Sequence, residues 1–148
     1  MSGDVQRGNR GCDEAGPQPA ADAVSKVCLV VDDSRVIRTV ISNILKTLNM
    51  TVLEAGNGRQ ALEICNKTCP DLILLDWNMP VMDGLECLRA LRAAQNEHRP
   101  IVVMCTTECT LPKIKTAIAE GADEYIMKPF SSEILIQKLE CVGLPVGA

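Results

Sequence analysis

Three continuous apolar runs, each halted by a polar side chain, constrain this chain more than any other feature. Val27-Cys-Leu-Val-Val31 stops at Asp32-Asp33, Leu72-Ile-Leu-Leu75 stops at Asp76, and Ile101-Val-Val-Met-Cys105 stops at Thr106. Runs of this length without polar alternation are what strands show when both faces of their sheet are covered. The segments between them have a different rhythm. Ser34 can cap a helix whose apolar positions Val36, Ile37, Val40, Ile41, Ile44, Leu45 and Leu48 recur with a period of about 3.6 residues.

The alternation continues along the chain. A short strand is expected at Thr51 to Glu54, followed by the Gly56-Asn57-Gly58 turn and a helix from about Arg59 to Asn66 with Ala61, Leu62 and Cys65 inward. A helix from about Gly84 to Gln95 carries Leu85, Leu88, Leu91 and Ala94. Pro112 suits the first turn of a helix with Ile114, Ala117, Ile118 and Ala119, which stops at Gly121. Glu124 to Met127 reads as a fifth strand ending at Lys128-Pro129. A last helix, capped by Ser131 or Ser132, holds Ile134, Leu135, Leu139 and Val142. Five strands alternating with five helices, joined by right-handed crossovers, give a (βα)5 three-layer α/β sandwich around a parallel sheet. In the flavodoxin-like strand order 2-1-3-4-5 the switch point lies between strands 1 and 3.

The 148 residues fit one domain with a real core. Residues 25–142 form its expected folded part, between a glycine- and proline-containing tail at 1–24 and a short tail at 143–148. A net charge of -4 and only three aromatics (Trp77, Tyr125, Phe130) argue against a nucleic-acid groove. No apolar run is long enough for membrane insertion, and the first twenty residues do not resemble a secretory signal, so a cytoplasmic protein is expected. In that compartment the eight cysteines should be reduced. Cys28, Cys65, Cys87 and Cys105 lie within apolar patterns and read as small core residues. The pairs Cys65/Cys69 and Cys105/Cys109 lack zinc spacing, and the single His98, read as a solvent-facing loop residue, adds no obvious ligand. Cys12 and Cys109 are the best candidates for reactive thiols.

The polar residues that end the strands carry the chemistry. Asp32, Asp33, Asp76, Thr106 and Lys128 all fall at the C-terminal edge of the expected sheet, where open parallel sheets bind ligands. One aspartate there is usually a cap or a turn; five such groups on four strands are not. Three carboxylates in one crevice repel one another and call for a cation, and hard oxygen ligands suit Mg²⁺. Lys128 adds a compact positive charge, and Thr106 a hydroxyl. The set suits an aspartate acting as nucleophile toward a phosphoryl group. Neither GxGxxG nor GxxxxGK occurs, so no nucleotide cradle is expected.

With these residues in place, the chain closely resembles a response regulator receiver domain of the stand-alone chemotaxis (CheY-like) type. The resemblance rests on VVDDSR (30–35), LLDWNMPVMDG (74–84), VVMCTT (102–107) and EYIMKPF (124–130), in the family's order and spacing across the whole folded region. It implies that Asp76 is phosphorylated by a sensor histidine kinase or a histidine phosphotransfer protein. It also implies that Asp32, Asp33 and the backbone carbonyl of Asn78 complete a Mg²⁺ site with Asp76. Thr106 then corresponds to the switch hydroxyl, Tyr125 to the aromatic that turns inward behind it, and Lys128 to the family's lysine, followed by a cis proline. Asn78 and Glu108 stand two residues beyond Asp76 and Thr106, where the family sets phosphoaspartate lifetime.

The implied function is a phosphorylation-activated switch that phosphorylates and dephosphorylates itself and is not a metabolic enzyme. With no effector domain after Leu144, output is expected through a protein partner such as a flagellar switch protein, with the chain a monomer. Ser34-Arg35 after the acidic pair, the core cysteines and the N-terminal tail depart from the family's usual pattern. A haloacid-dehalogenase-type hydrolase would need a second aspartate at position 78, which is asparagine. A receiver-like binding module with a dead site would not need the intact acidic set. A phosphorelay shuttle or a stress or cell-cycle regulator is the remaining alternative to chemotaxis.

Overall fold

The computed structural model describes residues 26–94, 99–108 and 110–144. Within them the chain alternates β1 (Val27–Val31), α1 (Arg35–Thr47), β2 (Thr51–Ala55), α2 (Gly58–Thr68), β3 (Leu72–Asp76), α3 (Gly84–Ala93), β4 (Ile101–Thr106), α4 (Leu111–Ala119), β5 (Glu124–Met127) and α5 (Ser132–Cys141). The strands form one sheet of order β2-β1-β3-β4-β5. Every pairing is parallel, as the expected order required.

The period of two along each strand explains the three layers. Cys28 and Val30 of β1, Leu72 and Leu74 of β3, and Val103 and Cys105 of β4 face one way. There they pack on Ile41 and Leu45 of α1 and on Leu135 and Leu139 of α5. The intervening residues Leu29, Val31, Ile73, Leu75, Val102 and Met104 face Ala61, Cys87, Leu88 and Ala117 of α2, α3 and α4. Two buried faces account for runs with no polar residue.

The helix ends follow local chemistry. Ser34 accepts from the Ile37 amide, Asn57 from Gln60 and Ser131 from Ile134, each supplying one of the acceptors that the first turn lacks. Asp83 and Glu86 form a reciprocal capping box that starts α3. At the other end of the fold, Gly143 at φ +82° turns the chain so that Leu144 tucks into the core. Opposite the acidic edge, the Asp123 carboxylate accepts from the Val102 amide, Arg92 and Arg99. Arg92 reaches on to the carbonyls of Gly121 and Pro100 and so ties α3 to β4 and β5.

Several expectations need adjustment. Strand β2 runs one residue further than expected, to Ala55, and α2 extends to both sides of 59–66. Helix α3 ends at Ala93, short of Ala94; Gln95 and His98 lie outside the described residues. Val36 and Val40 are 70% and 51% exposed, and Ile118 and Ile134 also point outward. In each case the apolar stripe is wider than the strip of helix that the sheet covers.

Of the cysteines, Cys28, Cys87 and Cys105 are buried as expected, whereas Cys65 is only half-buried. Cys69 is disulfide-bonded, contrary to the expectation of reduced thiols. Cys12 and Cys109 lie outside the described residues. Burial pushes the Cys87 thiol up to about 12 and that of Cys65 to about 11, from 9.0. Cys141 on α5 is exposed and free. An alkylating reagent at pH 8 should therefore modify Cys141 in the native protein and reach Cys28, Cys87 and Cys105 only in denaturant, which peptide mass mapping checks. Because the folded values are raised, burial of these protonated thiols contributes stability fully below pH 9, and that contribution is lost as pH climbs toward 12.

Candidate phosphoryl-transfer and metal site

Parallel pairing in register sets the site. Asp76 pairs with Cys105, and Thr106 with Met127, so the residues that leave β3, β4 and β5 emerge side by side at one edge. Asp32 and Asp33 follow β1, whose Val31 pairs with Leu75. Asp32 is 2% exposed, Asp76 5% and Thr106 3%, whereas Asp33 is exposed. One wall of the site is thus buried and the other open to solvent.

Three carboxylates meet there: Asp32, Asp33 and Asp76 each present an oxygen, all within 4.8 Å of one another. Among the described residues, one ammonium stands with them. Lys128 Nζ donates to Asp32 Oδ2 and to Asp76 Oδ1, each at 3.0 Å. One positive charge against three negative ones leaves a deficit of cation. Oxygens bonded to one Mg²⁺ at about 2.1 Å lie at most about 4.2 Å apart, so small movements suffice to gather this set around the ion. The donors are all hard oxygens, and the open side at Asp33 gives room for the waters that Mg²⁺ keeps. The site therefore fits Mg²⁺ as the protein's cofactor.

The protonation preferences agree with a site short of cation. Burial raises the Asp76 carboxyl above its ordinary value, and the charges of Asp32 and Asp33 push it the same way; the bond to Lys128 opposes them without winning. Burial lowers the Lys128 ammonium, but its bonds to Asp32 and Asp76 outweigh that and hold it above the usual lysine value. The lysine stays charged while Asp76 bears the cost of the crowding.

Backbone contacts hold the cluster in place. Asp32 Oδ1 accepts from the Ser34 amide at 2.9 Å, so this carboxylate also shapes the turn into α1. Arg38 of α1 donates to the Asp32 carbonyl at 2.6 Å and pairs with Glu54 of β2 at 3.0 Å. That role is not visible in the sequence, where Arg38 is one more polar residue on a helix. After β3, the Trp77 amide donates to the Cys105 carbonyl and the Trp77 carbonyl accepts from Gly84, which folds the 77–83 loop back over the strand end. Asn78 in this loop is exposed.

The other residues expected at the site fall around it. The Thr106 hydroxyl donates to the Glu108 carbonyl and accepts from the Glu108 amide, both at 2.9 Å. The Glu108 side chain is exposed and lies 3.7 Å from Lys113 of α4. Tyr125 is half-buried against the α2–α4 side of the core, with the Lys138 ammonium 4.3 Å from its ring centroid. The Lys128-Pro129 peptide is cis. Lys113, absent from the sequence reading, also stands 4.3 Å over the Trp77 ring.

The family model for the response regulator receiver domain matches residues 28–140. A chemotaxis protein CheY homolog of Campylobacter jejuni is 40% identical over 116 residues, covering 77% of this chain and 89% of that protein. Chemotaxis protein CheY1 of Helicobacter pylori is likewise 40% identical over 116 residues, covering 77% of this chain and 94% of its own. Among solved structures, chemotaxis protein CheY4 of Vibrio cholerae superposes with a TM-score of 0.76 at 36% identity, covering 80% of this chain and 99% of that one.

Proposed function

Because the chain belongs to the response regulator receiver family, we propose that Asp76 is its phosphoacceptor and that Thr106 and Lys128 act on the phosphoryl group Asp76 receives. Like its relatives, the chain is a CheY-like receiver that phosphorylates and dephosphorylates itself and performs no metabolic reaction. Its partners are of the general CheY type, a histidine kinase upstream and an effector downstream. The observation that carries the assignment of Asp76 is its position: buried, at a strand end, within reach of two further carboxylates and bonded to one lysine.

In the reaction, an Asp76 carboxylate oxygen attacks the phosphorus of a phosphohistidine. The P–N bond breaks, its electron pair stays on the imidazole nitrogen, and that nitrogen takes up a proton from solvent. Water later attacks the same phosphorus; the P–O bond to Asp76 breaks and inorganic phosphate leaves. Lys128 holds Asp76 in place and faces the charge that develops on the phosphoryl oxygens. Asp32, Asp33, Asp76 and the Asn78 carbonyl are the ligands proposed for Mg²⁺, which supplies charge neutralisation when bound. Asn78 and Glu108 are assigned to the phosphoryl lifetime by the family resemblance, standing two residues beyond Asp76 and Thr106.

The output step follows from Thr106. A hydroxyl has one proton, and that proton is given to Glu108. Donation to a phosphoryl oxygen requires Thr106 to let Glu108 go, which shifts the loop before α4 and the space behind it where Tyr125 can turn inward. Leu111 and Ile118 of α4, Met127 of β5 and Ile134 of α5 are exposed apolar residues on the elements that move. We take this surface as the docking face for the effector, a flagellar switch protein in the chemotaxis reading. Stronger binding of the phosphorylated protein to a histidine phosphotransfer protein than to a flagellar switch protein would favour a phosphorelay shuttle.

Intact mass after incubation with acetyl phosphate tests the central claim. A gain of about 80 Da that appears with Mg²⁺ and disappears with chelator is expected. No adduct under conditions where Mg²⁺ binding is separately established would leave a binding module.

A further inference from the structure

Lys113 closes a circuit that begins and ends at the site. The Thr106 hydroxyl holds both backbone groups of Glu108, the Glu108 carboxylate lies 3.7 Å from Lys113 Nζ, and the same ammonium stands 4.3 Å from the centroid of the Trp77 ring. Trp77 is bonded through its backbone to β4 and to the start of α3 and directly follows Asp76. The first turn of α4 is therefore tied, through one side chain, to the residue after the phosphoacceptor and to the residue that occupies the switch hydroxyl.

We propose that Lys113 is a positioning residue for phosphoryl transfer: by bridging Glu108 and Trp77 it holds the β4–α4 loop in the arrangement in which the Thr106 hydroxyl is spent on Glu108, and so opposes phosphoryl uptake by Asp76. This rests on the roles given above to Asp76 and Thr106. The single Thr106 proton serves either the Glu108 carbonyl or a phosphoryl oxygen. Whatever stabilises the first arrangement lowers the population of the second. Lys113 strengthens the first arrangement through a partly exposed ion pair and a cation–π contact.

The direction of the effect separates this role from simple attraction. A lysine that merely drew in an anionic phosphodonor would speed uptake, and its loss would slow it. A lysine that restrains the loop does the reverse. Lys113→Met should raise the initial rate and extent of phosphoryl uptake at subsaturating acetyl phosphate by about three- to tenfold, the range that one such ion pair and one cation–π contact carry together. Lys113→Arg retains both contacts and should behave as the wild type.

Two readouts test it in the full-length protein with Mg²⁺. The first is intact mass against time with acetyl phosphate for wild type, Lys113→Met and Lys113→Arg. The second is emission from Trp77, the single tryptophan of the chain, without phosphodonor. Faster uptake and altered emission in Lys113→Met, both restored by arginine, is the expected result. Equal or slower uptake by Lys113→Met overturns the role of Lys113 while leaving Asp76 as phosphoacceptor. An absence of adduct on the wild type overturns the phosphoacceptor reading, and the coupling with it; the emission comparison still reports whether Lys113 touches Trp77.

Discussion

Asp76→Asn is expected to gain no phosphoryl mass with acetyl phosphate and Mg²⁺, a loss of at least about 1,000-fold in rate, and to be more stable than the wild type in chelator. The two outcomes have one cause. In the proposed role Asp76 is the nucleophile, and a carboxylate crowded by two others and bonded to Lys128 is also destabilising when no cation is bound. Asparagine keeps an oxygen to accept from Lys128 but carries no charge, so it removes the nucleophile and the crowding together. The pH dependence follows from the direction of the shift. Because the folded Asp76 carboxyl lies above its ordinary 3.8, the wild type binds that proton more tightly when folded, and it loses this stabilisation as pH rises through the raised value. The stability advantage of Asp76→Asn should thus be small near pH 4 and grow toward neutrality. Urea denaturation in chelator at several pH values checks it; a variant less stable than wild type at pH 7 would mean that Lys128 stabilises charged Asp76 by more than its burial costs. Saturating Mg²⁺ should narrow the gap, since bound cation stabilises the wild type in preference.

Much of this site was legible in the sequence because it depends on where strands stop. An uninterrupted run as short as Leu72–Leu75, bounded by turn residues, reads as a strand buried on both faces, and the first polar residue after it, Asp76, marks the sheet edge. The same logic places Asp32 and Thr106; Lys128 follows the shorter, mixed strand Glu124–Met127. Helix faces were less legible. The apolar stripe of α1 includes Val36 and Val40, yet the sheet covers only the strip through Ile41 and Leu45, and periodicity does not report how wide that strip is. Contacts between loops were not legible at all. Lys113 meets Trp77 from 36 positions away because of how the chain leaves β3 and β4, and Arg38 reaches the Asp32 carbonyl through the angle of α1. Nothing in the local pattern around either residue encodes those angles. The Cys69 disulfide is not visible in the sequence for a different reason: the cellular compartment assigns one redox state to every cysteine in a chain alike.

Gly84→Ala should be the most damaging methyl addition near the site, by about 3 kcal/mol or more. The backbone of Gly84 needs no unusual φ; what requires glycine is close approach. An added Cβ would overlap the Asp76 carbonyl oxygen and stand 2.9 Å from Trp77 Cα and 3.0 Å from the Asp76 carbonyl carbon. These neighbours are main-chain atoms. They cannot rotate away as a side chain would, so α3 must move off β3 or the 76–77 peptide must tilt. Either movement breaks the bond from the Gly84 amide to the Trp77 carbonyl and displaces Asp76 itself. Stability and phosphoryl uptake should therefore fall together. Gly56→Ala is the matched comparison, because its Cβ would meet only the ends of the Gln60 and Arg38 side chains, at 3.4 and 3.5 Å. That variant should stay within about 1 kcal/mol of wild type and take up phosphoryl normally. Denaturation midpoints at unchanged slope, read beside the acetyl phosphate mass gain, distinguish the two. If Gly84→Ala proved as stable as Gly56→Ala, the close packing of α3 on the Asp76–Trp77 backbone would be wrong, and with it the account of how the loop after Asp76 is held.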